Sequence, residues 1–418
     1  MKVLLVGGGG REHAVAWKLK KDNPDIEIYA APGNGGIQTL AECAPIRAND
    51  IPALKAFVYS HDIDFTVVGP EEPLVKGIAD EFGSLPVFGP RAKGAMLEGS
   101  KSYAKAFMKK YGIPTAAYEV FSDYGEAISY ACRTGAPLVI KADGLAAGKG
   151  VTVCRTLDEA EAALAETLRD GRFGDAGRVA VIEELLQGPE VSVLAFTDGQ
   201  TILPMASAQD HKRAYDGDRG PNTGGMGAFS PSPHYTEEIR KMTEARIIYP
   251  TLDALIKEGI DYKGVLYFGL MITAGGPKVI EYNCRFGDPE TQTVLTRLDN
   301  NLLEIMQACV SGTLDKVCLK WREEAAVCVA MVSGGYPGAY QKGVPINGLN
   351  NVIETDRLVV FHAGDMLEDG VLLTDGGRVL GVTALAESVG MAAESAYGAV
   401  NEISFDGVRF RKDIGRTF

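Results

Sequence analysis

The stretch "EYNCRFGDPE", residues 281 to 290, sets three acids, an Arg and an Asn beside a Pro and a Gly. It follows "GVLYFGLMITAGGPKVI", which reads as two buried strands joined by a Gly-Gly-Pro turn. Side chains alternate along a strand, so Glu281 and Asn283 share one face, with Arg285 beyond them. Oxygen ligands of this kind suit a hard cation such as Mg²⁺, which completes its shell with phosphate oxygens and water. Arg285 is placed to hold a transferring phosphoryl group or a substrate carboxylate. The competing reading is a salt-bridge cluster at a domain seam.

Two glycine loops bear on that choice. "VIKADGLAAGKGVTV", 139 to 153, is flanked by strands on both sides and is therefore a hairpin tip. It is not a Walker A loop, because three residues separate Gly144 from Gly148 and Gly150 follows Lys149. A glycine hairpin can close backbone N–H groups over phosphates, and Lys141, at the end of an apolar strand, needs an anionic partner. The opening "VLLVGGGGREHAV" lacks the dinucleotide fingerprint: the third glycine position holds Glu12 or His13, and the second strand ends "YAAPGNGG" without an acid for a ribose. A phosphate or small anion at that helix N-terminus still fits. "VIEELLQGPEVSV", 181 to 193, offers a linker for adenine and Glu190 for ribose hydroxyls, a weak signal by itself.

The elements that must position these groups follow from periodicity. "KVLLVG", "EIYAA", "FTVVG" and "PVFG" read as parallel strands of a doubly wound α/β unit over residues 1–100. "EGSKSYAKAFMKKYG", 98 to 112, predicts a helix closed by Gly112. Strands at "AYEVF", "PLVIKA", "VTVC" and "VAVIEEL", with one helix at "TLDEAEAALAETLRDG", make a small α+β module. A second α+β region starts at "EVSVLAF", with an irregular loop at 209–233 and a helix near 235–258, and a β-rich segment ends the chain. The expected divisions are 1–100, 101–190, 191–324 and 325–418.

With 418 residues, 46% of them apolar, and no long apolar run or signal peptide, the chain reads as a multidomain cytoplasmic protein with no membrane partner. Its seven Cys lack zinc-ligand spacing and read as reduced thiols. A net charge of −13 argues against a nucleic-acid partner.

Lys101, Lys141 with its hairpin, "EELL" followed by Glu190, and "EYNCR" occur in an order that resembles the ATP-grasp superfamily. "RFGDPETQ", "AQDHKRA" and "GPNTGGMGAFSP" resemble glycinamide ribonucleotide synthetases within it, as do "VGGGGREHA", "GPEEPL" and "FRKDIG". The resemblance spans the chain and implies ATP-grasp central domains between the doubly wound N-terminal domain and a small β-rich C-terminal domain. It implies ligation of glycine to 5-phosphoribosylamine through glycyl phosphate, with ATP and Mg²⁺ or Mn²⁺, by a monomer or weak dimer acting on small molecules.

Carried over by residue, Lys101 and Lys141 would hold ATP phosphates. The loop Asp143–Val151, with Gly144, Gly148, Lys149 and Gly150, would be the flap over them. Glu183, Glu184 and Leu186 would meet adenine, and Glu190 the ribose. Glu281 and Asn283 would hold the metal, and Arg285 would neutralise the acyl phosphate. Asp288 is the candidate for the amine. Gly8, Gly9, Gly10, Arg11 and Glu71 are candidates for the phosphoribosyl group, and Asp210, Lys212 and Arg213 for the acceptor side. His211 reads as a structural donor. The penultimate strand "YFGLMI" lacks the further metal-binding acid of many superfamily members, so either one metal suffices or phosphate and water complete a second site. The rivals are another ATP-grasp ligase and a non-catalytic nucleotide sensor; "RFGDPETQ" and "DHKRA" speak against the first, intact Lys141, Glu281, Asn283 and Arg285 against the second.

Overall fold

The computed structural model describes residues 1–146 and 148–416. Five parallel strands form the first sheet, in the order Glu42–Cys43, Glu27–Pro32, Lys2–Gly7, Phe65–Val68, Val87–Phe88. The alternation along the central strand explains its uninterrupted apolar run. Leu4 and Val6 pack into one core cluster, whereas Val3 and Leu5 pack into another, so both faces are covered. The order reverses beside Lys2–Gly7, which places the glycine turn and the helix Gly10–Asp22 at the carboxyl-end crevice where such sheets bind ligands. Gly8 is required there, since a Cβ would stand 2.2 Å from the Gly33 carbonyl oxygen.

The helix expected over 98–112 is instead two helices, Ala92–Gly99 and Lys101–Tyr111. Ser100 between them is extended, and its Oγ accepts from the Tyr103 N–H at 3.1 Å, capping the second helix. That break puts Lys101 on the first turn.

The small module is a four-stranded antiparallel sheet, Tyr118–Phe121, Ala180–Glu184, Leu138–Ala142, Val151–Cys154. Besides the expected helix Leu157–Leu164 it carries a second one, Tyr124–Thr134, capped by Asp123. Four further antiparallel strands form the next sheet, Ile202–Pro204, Glu190–Thr197, Gly264–Thr273 and Gly276–Asn283.

The loop 209–233, expected to be irregular, contributes Gln209–Asp210 and Gly227–Ser230 to a sheet completed by Ala325–Val332, Arg378–Ala386 and Leu358–His362. The expected division at 324/325 therefore does not divide the sheets. Between these layers lies Glu290–Arg297, "ETQTVLTR", a polar helix buried along its whole length. Among the described residues no helix is long and apolar enough to cross a membrane, and the seven Cys are free.

Candidate active site

Register explains how the strand end opens. Glu281 lies opposite Gly269 and Asn283 opposite Tyr267, with a bulge at Gly269/Leu270. A Cβ at Gly269 would approach the Glu281 Cγ to 3.1 Å, so glycine leaves that carboxylate its room. Glu281 ion-pairs with Lys212 at 3.4 Å, and the same ammonium lies 3.3 Å from Glu190. Lys212 and Glu281 keep 32% and 30% of their side-chain exposure, so the pair is only partly buried. Burial raises the Glu281 carboxyl, but Lys212, Lys141 and Lys101 outweigh it and bring it down to about 2. Asn283, with its amide turned to satisfy hydrogen bonding, donates to Glu98 Oε1 at 3.0 Å and to the Tyr282 carbonyl. An ionised carboxylate and an amide oxygen are the donor types that a hard metal ion takes.

Lys141 is buried at the end of its strand, donates to the Ile280 carbonyl at 3.0 Å and pairs with Glu183 at 2.9 Å. Glu183 pairs equally with Lys105 at 2.9 Å. The anionic partner that Lys141 needs is thus Glu183, and this corrects the assignment of the Glu183 carboxylate to adenine. Lys101 donates to the Gly144 carbonyl at 3.2 Å, and Asp143 ties the helix start to the hairpin through Ser100 Oγ at 3.0 Å and the Ser102 N–H at 2.6 Å. Burial lowers the Lys101 ammonium, Glu281 offsets part of this, and Lys141 adds to the lowering. Gly148, Lys149 and Gly150 continue the hairpin; Ala147, within the expected flap, lies outside the described residues. Glu184 accepts from the Ala117 N–H at 3.0 Å and Lys278 at 2.9 Å, and Leu186 sits in the partly buried linker that leads to Glu190.

Arg285 joins the strand end to the first sheet. Its guanidinium reaches Glu71 at 3.2 Å and Glu98 at 3.0 Å, and Glu98 also accepts from the Cys284 N–H at 2.7 Å. Burial raises Glu71, but Arg285 and then Arg11 pull it down to about 2. A cleft of about 480 Å³ runs between the glycine turn and the C-terminal segment, lined by Gly8, Gly9, Arg11, Arg47, Asp288 and Gly364 among others. Gly9 N–H is taken by Glu12 at 2.6 Å, and Arg11 is held by Glu12 at 2.7 Å and the Phe286 carbonyl at 3.0 Å. Asn34 bridges the Gly8 and His362 carbonyls across this cleft. Sequence reading missed Asn34 and the C-terminal wall, because nothing local marks them.

The loop after Asp210 is fastened by the chain's end. Arg411, buried, reaches the Arg213 carbonyl at 3.1 Å and Asp218 at 2.6 Å, and Asp413 accepts from the Gly217 N–H at 2.9 Å. The Arg213 guanidinium donates to the Gly220 carbonyl at 2.8 Å within its own hairpin.

Burial, then the Arg411 charge, lower the His211 imidazole to about 4, and burial with His362 holds His13 well below its usual value. Both are neutral in the folded chain where an unfolded chain would protonate them. Their contribution to stability is therefore complete above roughly pH 6.5 and is lost as pH falls through the depressed folded values, by at most about 1.4 kcal/mol per pH unit for each. We expect the denaturation midpoint to fall between about pH 7 and pH 5, and His211→Gln to flatten the decline. A midpoint unchanged across that window contradicts this account.

A glycine hairpin over lysines, an acid and an Asn on the last strand of an antiparallel sheet, and a linker between the two sheets define an ATP-grasp enzyme. Residues 1–98, 99–291 and 326–417 match the N, ATP-grasp (A) and C domains of phosphoribosylglycinamide synthetase. The chain belongs to the phosphoribosylglycinamide synthetase family and is an ATP-dependent ligase. It is 50% identical to a phosphoribosylamine–glycine ligase of Caldanaerobacter subterraneus subsp. tengcongensis over 99% of each chain. It is also 50% identical to one of Escherichia coli O6:H1, over 99% of this chain and 98% of that one. The crystal structure of the Thermotoga maritima phosphoribosylamine–glycine ligase superposes with a TM-score of 0.86 at 33% identity, covering 99% of this chain and 100% of the other. A Campylobacter jejuni biotin carboxylase, at 16% identity and a TM-score of 0.75 over 99% of this chain and 94% of that one, shares the fold.

Proposed function

We propose that the chain joins glycine to 5-phosphoribosylamine, converting ATP to ADP and phosphate. The observation that carries the reading is the set of lysines around Glu281: Lys212 pairs with it at 3.4 Å, and the charges of Lys141 and Lys101 help to hold its carboxyl down. A group of lysines in an acidic chain suits a polyphosphate, and the family relationship supplies the two substrates.

A glycine carboxylate oxygen attacks the γ-phosphorus of ATP; the bond to the bridging oxygen breaks and ADP leaves, giving glycyl phosphate. The phosphoribosylamine nitrogen then attacks the acyl carbon, the carbon–oxygen bond to phosphate breaks, and the nitrogen loses a proton. Lys101 and Lys141 hold the transferring phosphates, Lys212 and Arg285 offset charge on the acyl side, and the glycine hairpin excludes water. Mg²⁺ or Mn²⁺ held by Glu281 and Asn283 supplies charge neutralisation at the phosphates when bound. The phosphoribosyl group fits the 480 Å³ cleft, at the N-terminus of the helix Gly10–Asp22. Seven free cysteines accord with a reducing, cytoplasmic setting, and the ligands are small molecules bound by a monomer or weak dimer.

ADP release is expected to need glycine and phosphoribosylamine together with ATP and metal. Equal turnover with bicarbonate or formate in place of glycine overturns the assignment.

A further inference from the structure

Lys105, on the helix Lys101–Tyr111, is 2% exposed. Its ammonium lies 2.9 Å from Glu183 Oε2 and donates to Thr115 Oγ1 at 2.8 Å, and that hydroxyl donates to the Val279 carbonyl at 2.7 Å. Lys141 stands at the other carboxylate oxygen, 2.9 Å from Glu183 Oε1, and donates to the next carbonyl of the same strand, Ile280, at 3.0 Å. The circuit therefore begins and ends on Gly276–Asn283, the strand that carries Glu281 and Asn283. Glu183 Oε1 accepts no aligned hydrogen bond despite its short distance to Lys141. The contact is an ion pair, and it leaves Lys141 with N–H donors still to place.

One buried acid needs one base, and Lys141 already supplies it. The second lysine is surplus to that pairing and carries the desolvation cost of a buried ammonium. Burial lowers Lys105 to about 8 against the pull of Glu183, so the group stays largely charged at neutral pH. Two ammonium groups on one carboxylate leave a single positive charge, whereas Lys141 and Glu183 alone would leave none. We propose that Lys105 is a positioning residue for the nucleotide polyphosphate. By occupying Glu183 Oε2 it releases the charge of Lys141 to the phosphates and holds that ammonium in register with the strand of Glu281 and Asn283. The inference rests on the reading of Lys141 as a phosphate lysine. Lys105 acts through Glu183 and touches no ligand, so its effect is confined to ligands that bear phosphates.

The test measures, by calorimetry on the full chain, the Kd of ATP with Mg²⁺ and the Kd of adenosine, which has no phosphates. Lys141→Met comes first: an unchanged ATP Kd there means that Lys141 holds no phosphate, and the inference falls with that reading. With Lys141 upheld, Lys105→Met is expected to weaken ATP roughly tenfold and to leave adenosine within about twofold, since one charge near the phosphates is lost and the adenine linker is untouched. Lys105→Met combined with Glu183→Gln removes one charge of each sign, leaves Lys141 to pair with the phosphates, and should return the ATP Kd to within about threefold of the wild type. An unchanged ATP Kd in Lys105→Met overturns the proposal. A parallel loss of adenosine binding also overturns it, by marking Lys105 as structural. A double variant as weak as the single one shows that Lys105 does not act through charge and overturns it as well. Should Lys105→Met fail to fold, the double variant decides: ATP binding near that of the wild type supports the proposal, and a loss of about tenfold overturns it.

Discussion

Glu281→Gln is expected to lower turnover roughly a thousandfold, equivalent to about 4 kcal/mol of transition-state stabilisation, while the chain stays folded. The substitution keeps the shape of the side chain and removes the negative charge that pairs with Lys212 and that the charges of Lys141 and Lys101 help to hold ionised. A carboxylate held down at about 2 is ionised at every working pH, so its charge is available to a metal ion throughout. An amide offers one neutral oxygen in its place, and the three ammonium groups then repel the incoming cation. Stability should change little, because Lys212 retains Glu190 at 3.3 Å. The check is turnover against Mg²⁺ concentration beside thermal melting. A variant that melts lower but turns over normally would make Glu281 a seam residue and sink the metal assignment.

Glu183→Leu carries the largest expected loss of stability, about 3–5 kcal/mol, because it leaves two buried ammonium groups with no counter-charge. Lys141 and Lys105 each lie 2.9 Å from this carboxylate, which is itself 3% exposed. Burial already lowers Lys105 to about 8 with Glu183 in place. Without the acid, both lysines must give up protons or draw in water, and the small four-stranded sheet loses the tie between Leu138–Ala142 and Lys101–Tyr111. Urea unfolding of the full chain, with amide exchange over residues 118–184, reads the effect. Glu183→Leu combined with Lys105→Met should recover part of the loss, since a well-packed apolar replacement of a buried pair is often tolerated. Unchanged exchange in the single variant would show that the triad is not buried as described.

The strands and glycine loops that carry the candidate site were largely legible in the chain because they are written in short runs. Alternation along "KVLLVG" and "GVLYFGLMI", the two glycine loops, and the Glu281/Asn283 spacing all depend on neighbours a few residues away. One local signal was overlooked: Asp123 with Glu126 caps the helix Tyr124–Thr134, and Asp123 does accept from the Glu126 N–H at 2.9 Å. Ser100 likewise announces a helix start, yet the flanking helical pattern hid the break.

The sequence by itself determined the doubly wound opening and the glycine hairpin, and it singled out the lysines and acids proposed for the nucleotide. Only the tertiary structure decided how those groups are spent. Lys212 finds Glu281 across 69 residues, Arg285 finds Glu71 across 214, and Arg411 fastens the Arg213 loop across 198. The strand Gly227–Ser230 pairs with Ala325–Val332, far along the chain, and "ETQTVLTR" becomes a buried polar helix only through tertiary packing. A charge shows in the sequence, but its partner does not. Which carboxylate is neutralised, and which, like Asp210, keeps a buried oxygen that accepts no hydrogen bond, is fixed by long-range packing and the loss of water it imposes.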